Sequence, residues 1–210
     1  MNGQTTKLNG RDFEKIVKER LDAESDAGRI QAGRYGVQTA VVGSNSDGSP
    51  RLVAIKSLPD FEGCWPPIGQ QFITDAKVVS GASFSLGEYR FLDDTKGRKA
   101  RQLKHMYERS RVGVVCFFTI HFNARELKKK SEEAATFVFP VHHDVAFWES
   151  FLRGEVKSIT REDCALIGNE VQWNTRGREL KARPDVIGAA ERLRNRYWAW
   201  SPQDFAGATA

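Results

Sequence analysis

The sequence predicts an α/β protein, and three observations carry that expectation. Short apolar or alternating runs of strand length recur along the chain, segments of helical period stand between them, and clusters of Gly, Ser, Asn, Asp and Pro separate the two. At 210 residues the chain is long enough for one good-sized core and is expected to form a single domain over residues 1–210.

The first element is a helix from about Asn9 to Ala27. Phe13, Ile16, Val17 and Leu21 recur at helical spacing, with Asn9 as N-cap and Gly28 as the stop. Glu14 follows Phe13 directly. It is either one more charge on a helix flank or a carboxylate turned toward a site built by later elements. Residues 37–58 read as a β-hairpin, because Val37–Val42 and Arg51–Leu58 flank a turn cluster in which Asp47-Gly48 supplies the positive φ of a tight turn. The hairpin leads into Pro59-Asp60. Gly63 to Gly69, with Trp65-Pro66-Pro67 inside it, reads as a loop, and Gln71–Val79 reads as a strand. Period two along that strand puts Ile73, Asp75 and Lys77 on one face and Phe72, Thr74, Ala76 and Val78 on the other.

Ser80 to Leu86 reads as a polar loop. Asp94 to Arg109 is basic and partly helical, with Leu103, Met106 and Tyr107 on one face and Lys96, Arg98, Lys99, Arg101 and Lys104 loading the other. Val112–Ile120 is almost continuously apolar, as in a strand buried on both faces. Asn123 to Ala135 reads as a solvated helix or loop, and Thr136 to Val141 as another strand. His142-His143-Asp144 reads as a loop boundary, since adjacent histidines on a strand would point to opposite faces. Phe147, Trp148, Phe151 and Leu152 read as core. Thr160 caps a short helix, and Pro184 opens a terminal helix within a C-terminal segment spanning residues 175–210. The arginines and aromatics from Arg192 to Trp200 are expected to dock that helix on the core or on a second subunit.

Net charge is +5 with pI near 9.2, a balance that favours a polyanionic partner. Cys64, Cys116 and Cys164 are an odd number at wide spacing with no zinc pattern, and read as reduced thiols in a cytoplasmic protein. No apolar run approaches the ~18 residues of a membrane span, and the N-terminus lacks an apolar signal core, so no membrane partner is expected.

Pro59-Asp60 and Asp75-Ala76-Lys77, with fourteen residues between them, are similar to the PD…(D/E)xK signature of metal-dependent nucleases. Phosphodiester hydrolysis calls for a hard cation on carboxylate oxygens, with a lysine beside it to orient water and neutralise the phosphate. The plain alternative is a turn at Pro59-Asp60 and an ion pair on a solvated strand face.

Six blocks in order make the comparison narrower: Asn9-Gly10-Arg11-Asp12-Phe13-Glu14, Asp60-Phe61-Glu62-Gly63, Phe72-Ile73-Thr74-Asp75-Ala76-Lys77, Ser80-Gly81-Ala82-Ser83-Phe84-Ser85-Leu86, Gln102-Leu103-Lys104-His105-Met106, and Lys157-Ser158-Ile159-Thr160-Arg161-Glu162-Asp163. The chain resembles the restriction-endonuclease-like fold and, within it, the RecU-type Holliday junction resolvases. That resemblance implies a mixed central β-sheet flanked by helices, with the hairpin as a projecting stalk that enters a four-way DNA junction. It implies Asp60 and Asp75 as ligands of Mg²⁺ or Mn²⁺, Lys77 as the catalytic lysine, Glu14 as a helix carboxylate near the metal, and Gln102 as a supporting polar residue. Arg51 and Lys56 of the stalk would join Lys96, Arg98, Lys99, Arg101 and Lys104 in holding DNA. The implied unit is a homodimer that nicks two strands symmetrically in recombination or repair. Asp75 stands where the family usually has glutamate, and the basic N-terminal tail is nearly absent. A phage- or restriction-type nuclease of broader substrate range and a non-catalytic DNA-binding protein are the alternatives.

Overall fold

The computed structural model describes residues 7–35, 38–55, 58–91, 97–126, 131–174 and 183–198, with backbone alone for 38–42 and 50–55. In chain order it begins with α1 (Gly10–Asp26), β1 (Gln31–Arg34), β2 (Gln38–Ser44), β3 (Pro50–Ile55), β4 (Phe61–Trp65) and β5 (Gln70–Val79). After β6 (Ser83–Ser85) and a 3-10 turn at Gly87–Tyr89 come α2 (Arg98–Ser110), β7 (Val115–Phe122), β8 (Arg125–Glu126), β9 (Ser131–Glu132) and β10 (Ala135–Pro140). The chain continues with α3 (Ala146–Arg153), β11 (Ser158–Thr160), α4 (Arg161–Ile167), β12 (Asn169–Glu170), β13 (Trp173–Asn174), β14 (Arg183–Pro184) and α5 (Val186–Tyr197).

A six-stranded mixed sheet in the order β1-β4-β5-β7-β10-β12 forms the centre. Its one parallel pairing joins β5 to β7, and α2 makes the crossover between them. Every residue of β7 is buried, as a strand covered on both faces requires. Alternation along β5 divides the core in two. Ile73 and Val79 pack with Leu103, Met106, Tyr89 and Trp148 on the α2–α3 side. Phe72, Ala76 and Val78 pack with Phe13, Val17 and Leu21 of α1 and with Ile187 and Leu193 of α5 on the other. The architecture is α/β, a mixed sheet with helices on both faces, as the sequence implies.

Local chemistry explains where α1 starts and stops. Asn9 Oδ1 accepts the Asp12 N–H at 2.9 Å, and Gly28, at φ +72°, takes the left-handed conformation that lets the chain turn back into β1. The hairpin forms a separate two-stranded sheet, β2 with β3, around a turn in which Gly48 has φ +79°. The arginine-rich end of the chain docks inward: Trp198 is buried, and the Arg194 guanidinium lies over the Trp65 ring at 5.2 Å. Among the described residues no helix is long and apolar enough to cross a membrane.

Four sequence expectations need correction. The Gly63–Gly69 loop is shorter, because β4 runs through Trp65 and only a tight turn remains, with Gly69 at φ +63°. Part of the polar loop after β5 is a strand: residues 83–85 pair with β11, and Phe84 covers Phe118. The segment after Asn123 contributes a short ribbon, β8 with β9, held by Arg125 Nε and Glu132 Oε2 at 2.5 Å. Pro184 pairs with Trp173, and α5 starts one residue later from Asp185, whose Oδ1 accepts the Gly188 N–H at 3.3 Å. Trp200, together with the rest of 199–210 and residues 175–182, lies outside the described residues.

Candidate functional site

The site forms where β4 ends short of β5. Phe61 is the first residue of β4 and lies opposite Thr74, so the next inward-facing amide of β5, Ala76 N–H, has no strand beside it. Asp60 fills the position with its side chain: Oδ2 accepts Ala76 N–H at 2.9 Å. One residue back on β5, Asp75 points to the α2 face and is completely buried. The Asp60 and Asp75 carboxylates are therefore neighbours at the point where the two strands separate.

Lys77 lies two residues on, along the same face. Its ammonium contacts Asp75 Oδ2, and the lysine side chain is 20 % exposed against 0 % for Asp75. Asp75 Oδ2 is held by that ion pair alone, and Asp75 Oδ1 lacks a hydrogen-bond partner. Burial pushes the Asp75 carboxyl up to about 7. Lys77 opposes that rise and the Asp60 charge adds to it. Burial acts most strongly on Lys77, against its charged form, but Asp75, Tyr89 and Asp60 together outweigh it and hold the ammonium protonated.

Tyr89 completes this corner. The ring packs edge-on against Phe118, the β7 residue in register with Asp75, at 5.9 Å between centroids. Its hydroxyl is buried without a hydrogen-bond partner. Burial raises the phenol to about 12, and the charges of Lys77, Asp75 and Asp60 all act on it. Nothing in the sequence singles Tyr89 out, since a lone aromatic in a loop gives no periodic signal.

Gln102 sits behind Asp60. It is buried on α2, and Nε2 donates to Leu58 O at 2.8 Å, bracing the chain two residues before the carboxylate. Glu14 is not gathered into the same cluster. Its Oε1 pairs with Arg34 Nη2 at 2.9 Å, and α1 covers the opposite face of β5 from Asp75. Among the described residues the one trio of Asp, Glu, His or Cys side chains with ligand atoms within 4.8 Å of one another is His142, His143 and Asp144. Those residues do form a loop boundary. The two imidazole rings stack at 4.4 Å, and His142 Nδ1 already accepts the Asp144 N–H at 3.2 Å.

The basic face of α2 is exposed at Arg98, Lys99, Arg101 and Lys104, with Leu103 and Met106 turned into the core. Lys99 pairs with Glu88 at 2.5 Å and Lys104 with Glu108 at 3.8 Å. Lys56 and Lys96 lie outside the described residues, as does the side chain of Arg51.

The donor set suits a hard divalent cation. A buried carboxylate with one oxygen on the Lys77 ammonium and the other without a hydrogen-bond partner, beside a second carboxylate that raises its pKa, is an arrangement that a cation of the Mg²⁺ or Mn²⁺ type would satisfy. Oxygen ligands with no thiolate or imidazole among them favour those ions over zinc.

No protein-family model and no curated protein matches the sequence. Among solved structures the chain is similar to that of Archaeoglobus fulgidus Hjc, a Holliday junction resolvase from an archaeal hyperthermophile. Identity is 16 %, the TM-score is 0.40, and the match covers 77 % of this chain and 95 % of that one. At that distance the chemistry of this protein has to be argued from its own side chains.

Proposed function

We propose that this protein is a metal-dependent DNA endonuclease acting on four-way junctions as a homodimer. The observation that carries the reading is the convergence of Asp60, Asp75 and Lys77 at the fork of β4 and β5, with Asp75 Oδ1 buried and without a hydrogen-bond partner. Asp60 and Asp75 would hold Mg²⁺ or Mn²⁺, which supplies Lewis-acid charge at the scissile phosphate and an activated water. Lys77 stays protonated beside them and offers its charge to the phosphate as negative charge builds on its oxygens. Tyr89 and Phe118 wall the site on the α2 side and keep bulk water from the carboxylates. Gln102 fixes the approach to Asp60. Glu14 would join the metal only after giving up Arg34, so Glu14→Gln is expected to cost less activity than Asp60→Asn.

The basic face of α2 and the β2–β3 hairpin form the proposed DNA-binding surface. Cations that neutralise phosphates position a duplex without reading its sequence. A twofold dimer would present two such sites to a symmetric junction. The test is cleavage of labelled four-way junction, Y-fork and linear duplex in Mg²⁺ by wild type, Asp75→Asn and Lys77→Met. Junction-selective cutting, abolished in Asp75→Asn and reduced on the order of a hundredfold or more in Lys77→Met, is expected. Equal cutting of all three substrates would leave a nuclease of broader range, and salt-sensitive binding with no cutting would leave a DNA-binding protein.

A further inference from the structure

Helix α2 reaches Asp60 from both sides. Gln102 holds Leu58 O, as described above, and His105 lies one turn further along the helix. His105 Nε2 shares a 2.8 Å hydrogen bond with the Tyr35 hydroxyl, and the two rings meet edge to face with centroids 5.5 Å apart. Tyr35 in turn donates its backbone N–H to Asp60 O at 3.1 Å. Tyr35 lies ahead of β2 and Leu58 follows β3, so one face of α2 grips both feet of the hairpin together with the backbone of Asp60.

We propose that Tyr35 and His105 are positioning residues for Asp60, holding its carboxylate against Ala76 in the geometry that receives the metal. The inference rests on the metal-site reading above. Asp60 has few other restraints: its side chain is fixed through Ala76 N–H, and its backbone carbonyl through Tyr35 N–H. Losing the Tyr35–His105 bond frees the residue that supplies the second of these. Because α2 also carries Arg98, Lys99, Arg101 and Lys104, with Arg98 one turn before Gln102 and Arg101 one turn before His105, the same helix would connect phosphate contact to the placement of Asp60.

The test is a Mn²⁺ titration of the full chain without DNA, by calorimetry, on wild type, Tyr35→Phe and His105→Gln. The ¹H–¹⁵N resonance of the Ala76 amide reports the Asp60 hydrogen bond directly. Tyr35→Phe, which keeps the ring and loses the hydroxyl, is expected to weaken Mn²⁺ binding by about tenfold and to shift the Ala76 resonance. His105→Gln is expected to bind close to wild type, since an amide nitrogen can donate to the Tyr35 oxygen. A contact that only packed the helix would lower Tm and leave the Mn²⁺ affinity and the Ala76 resonance in place, and that result overturns the proposal. If Tyr35→Phe fails to fold, His105→Ala takes its place under the same criteria. Wild-type protein that takes up no Mn²⁺ overturns the metal-site reading and this inference together. Wild type that binds Mn²⁺ beside an unaltered Tyr35→Phe overturns this inference alone.

Discussion

Asp60 Oδ2 accepts the backbone N–H of Ala76 at 2.9 Å, so a side chain occupies the ladder position that a longer β4 would have filled. That bond gives Asp60 a structural task separable from its charge. In Asp60→Asn the amide oxygen still accepts from Ala76, and stability is expected to stay within about 0.5 kcal/mol of wild type while cleavage is lost. Asp60→Ala removes the acceptor as well, leaves a strand amide without a partner, and is expected to cost about 1–3 kcal/mol in a urea melt. Equal stability of the two variants would show that the hydrogen bond contributes nothing.

A cation that settles on Asp60 and Asp75 binds the folded chain and not the unfolded one. Mn²⁺ at a hundred times its dissociation constant is expected to add about 2.7 kcal/mol of stability, and hence to raise Tm by roughly 5 to 10 °C. Asp75→Asn should abolish the shift, because it removes the charge of the buried carboxylate, whose Oδ1 has no hydrogen-bond partner. Scanning calorimetry with and without Mn²⁺ checks this, and an unchanged wild-type Tm would remove the metal site.

The cations of α2 are not equivalent. Lys99 and Lys104 already face Glu88 and Glu108, whereas among the described residues Arg98 and Arg101 have no carboxylate partner. An unpaired cation releases the counterions of a phosphate without first breaking an ion pair. Arg101→Ala is therefore expected to reduce the slope of log K against log salt by about 1, and Lys104→Ala by less. Fluorescence anisotropy on a fixed DNA over a salt series measures both slopes. A larger change for Lys104→Ala would place the DNA elsewhere on the helix.

His121 gives the fold a pH dependence of definite sign. It is buried beside Thr136, whose Oγ1 accepts from Trp173 Nε1 at 3.0 Å and lies 2.8 Å from His121 Nδ1. The Thr136 hydroxyl can give its proton to Nδ1 or accept one from it, and either arrangement serves a neutral imidazole. Burial pulls the His121 pKa down to about 4. The folded-state value lies below the unfolded one near 6.5, so the contribution of His121 to stability is complete above about pH 6.5. It declines as pH falls toward 4, where the unfolded chain takes up the proton first. The loss should reach roughly 1–3 kcal/mol, measured as the difference between wild type and His121→Gln in urea melts at neutral and mildly acid pH. Parallel curves for the two proteins would contradict it.

What the sequence determined by itself is local. Asn9 and Gly28 bracket α1 because a cap side chain and a positive φ act within a few residues. Period two put Asp75 and Lys77 on one face of β5, and an unbroken apolar run marked β7 as covered on both sides. The basic stripe on α2 was legible for the same reason, because helical spacing assigns faces, whereas Gln102 was singled out only by the family resemblance. Only the tertiary structure decided what meets those faces. Where β4 stops is a matter of pairing across space, and it is that stop which turns Asp60 into a partner of Ala76 and a neighbour of Asp75. Tyr89 over Phe118, Tyr35 on His105 and Glu14 on Arg34 are contacts between elements, and no periodicity within one element reports them. Asp75 shows the division most clearly. The strand pattern assigned its direction, while its complete burial, and with it the raised pKa, came from the packing of Tyr89, Phe118 and α2 around it.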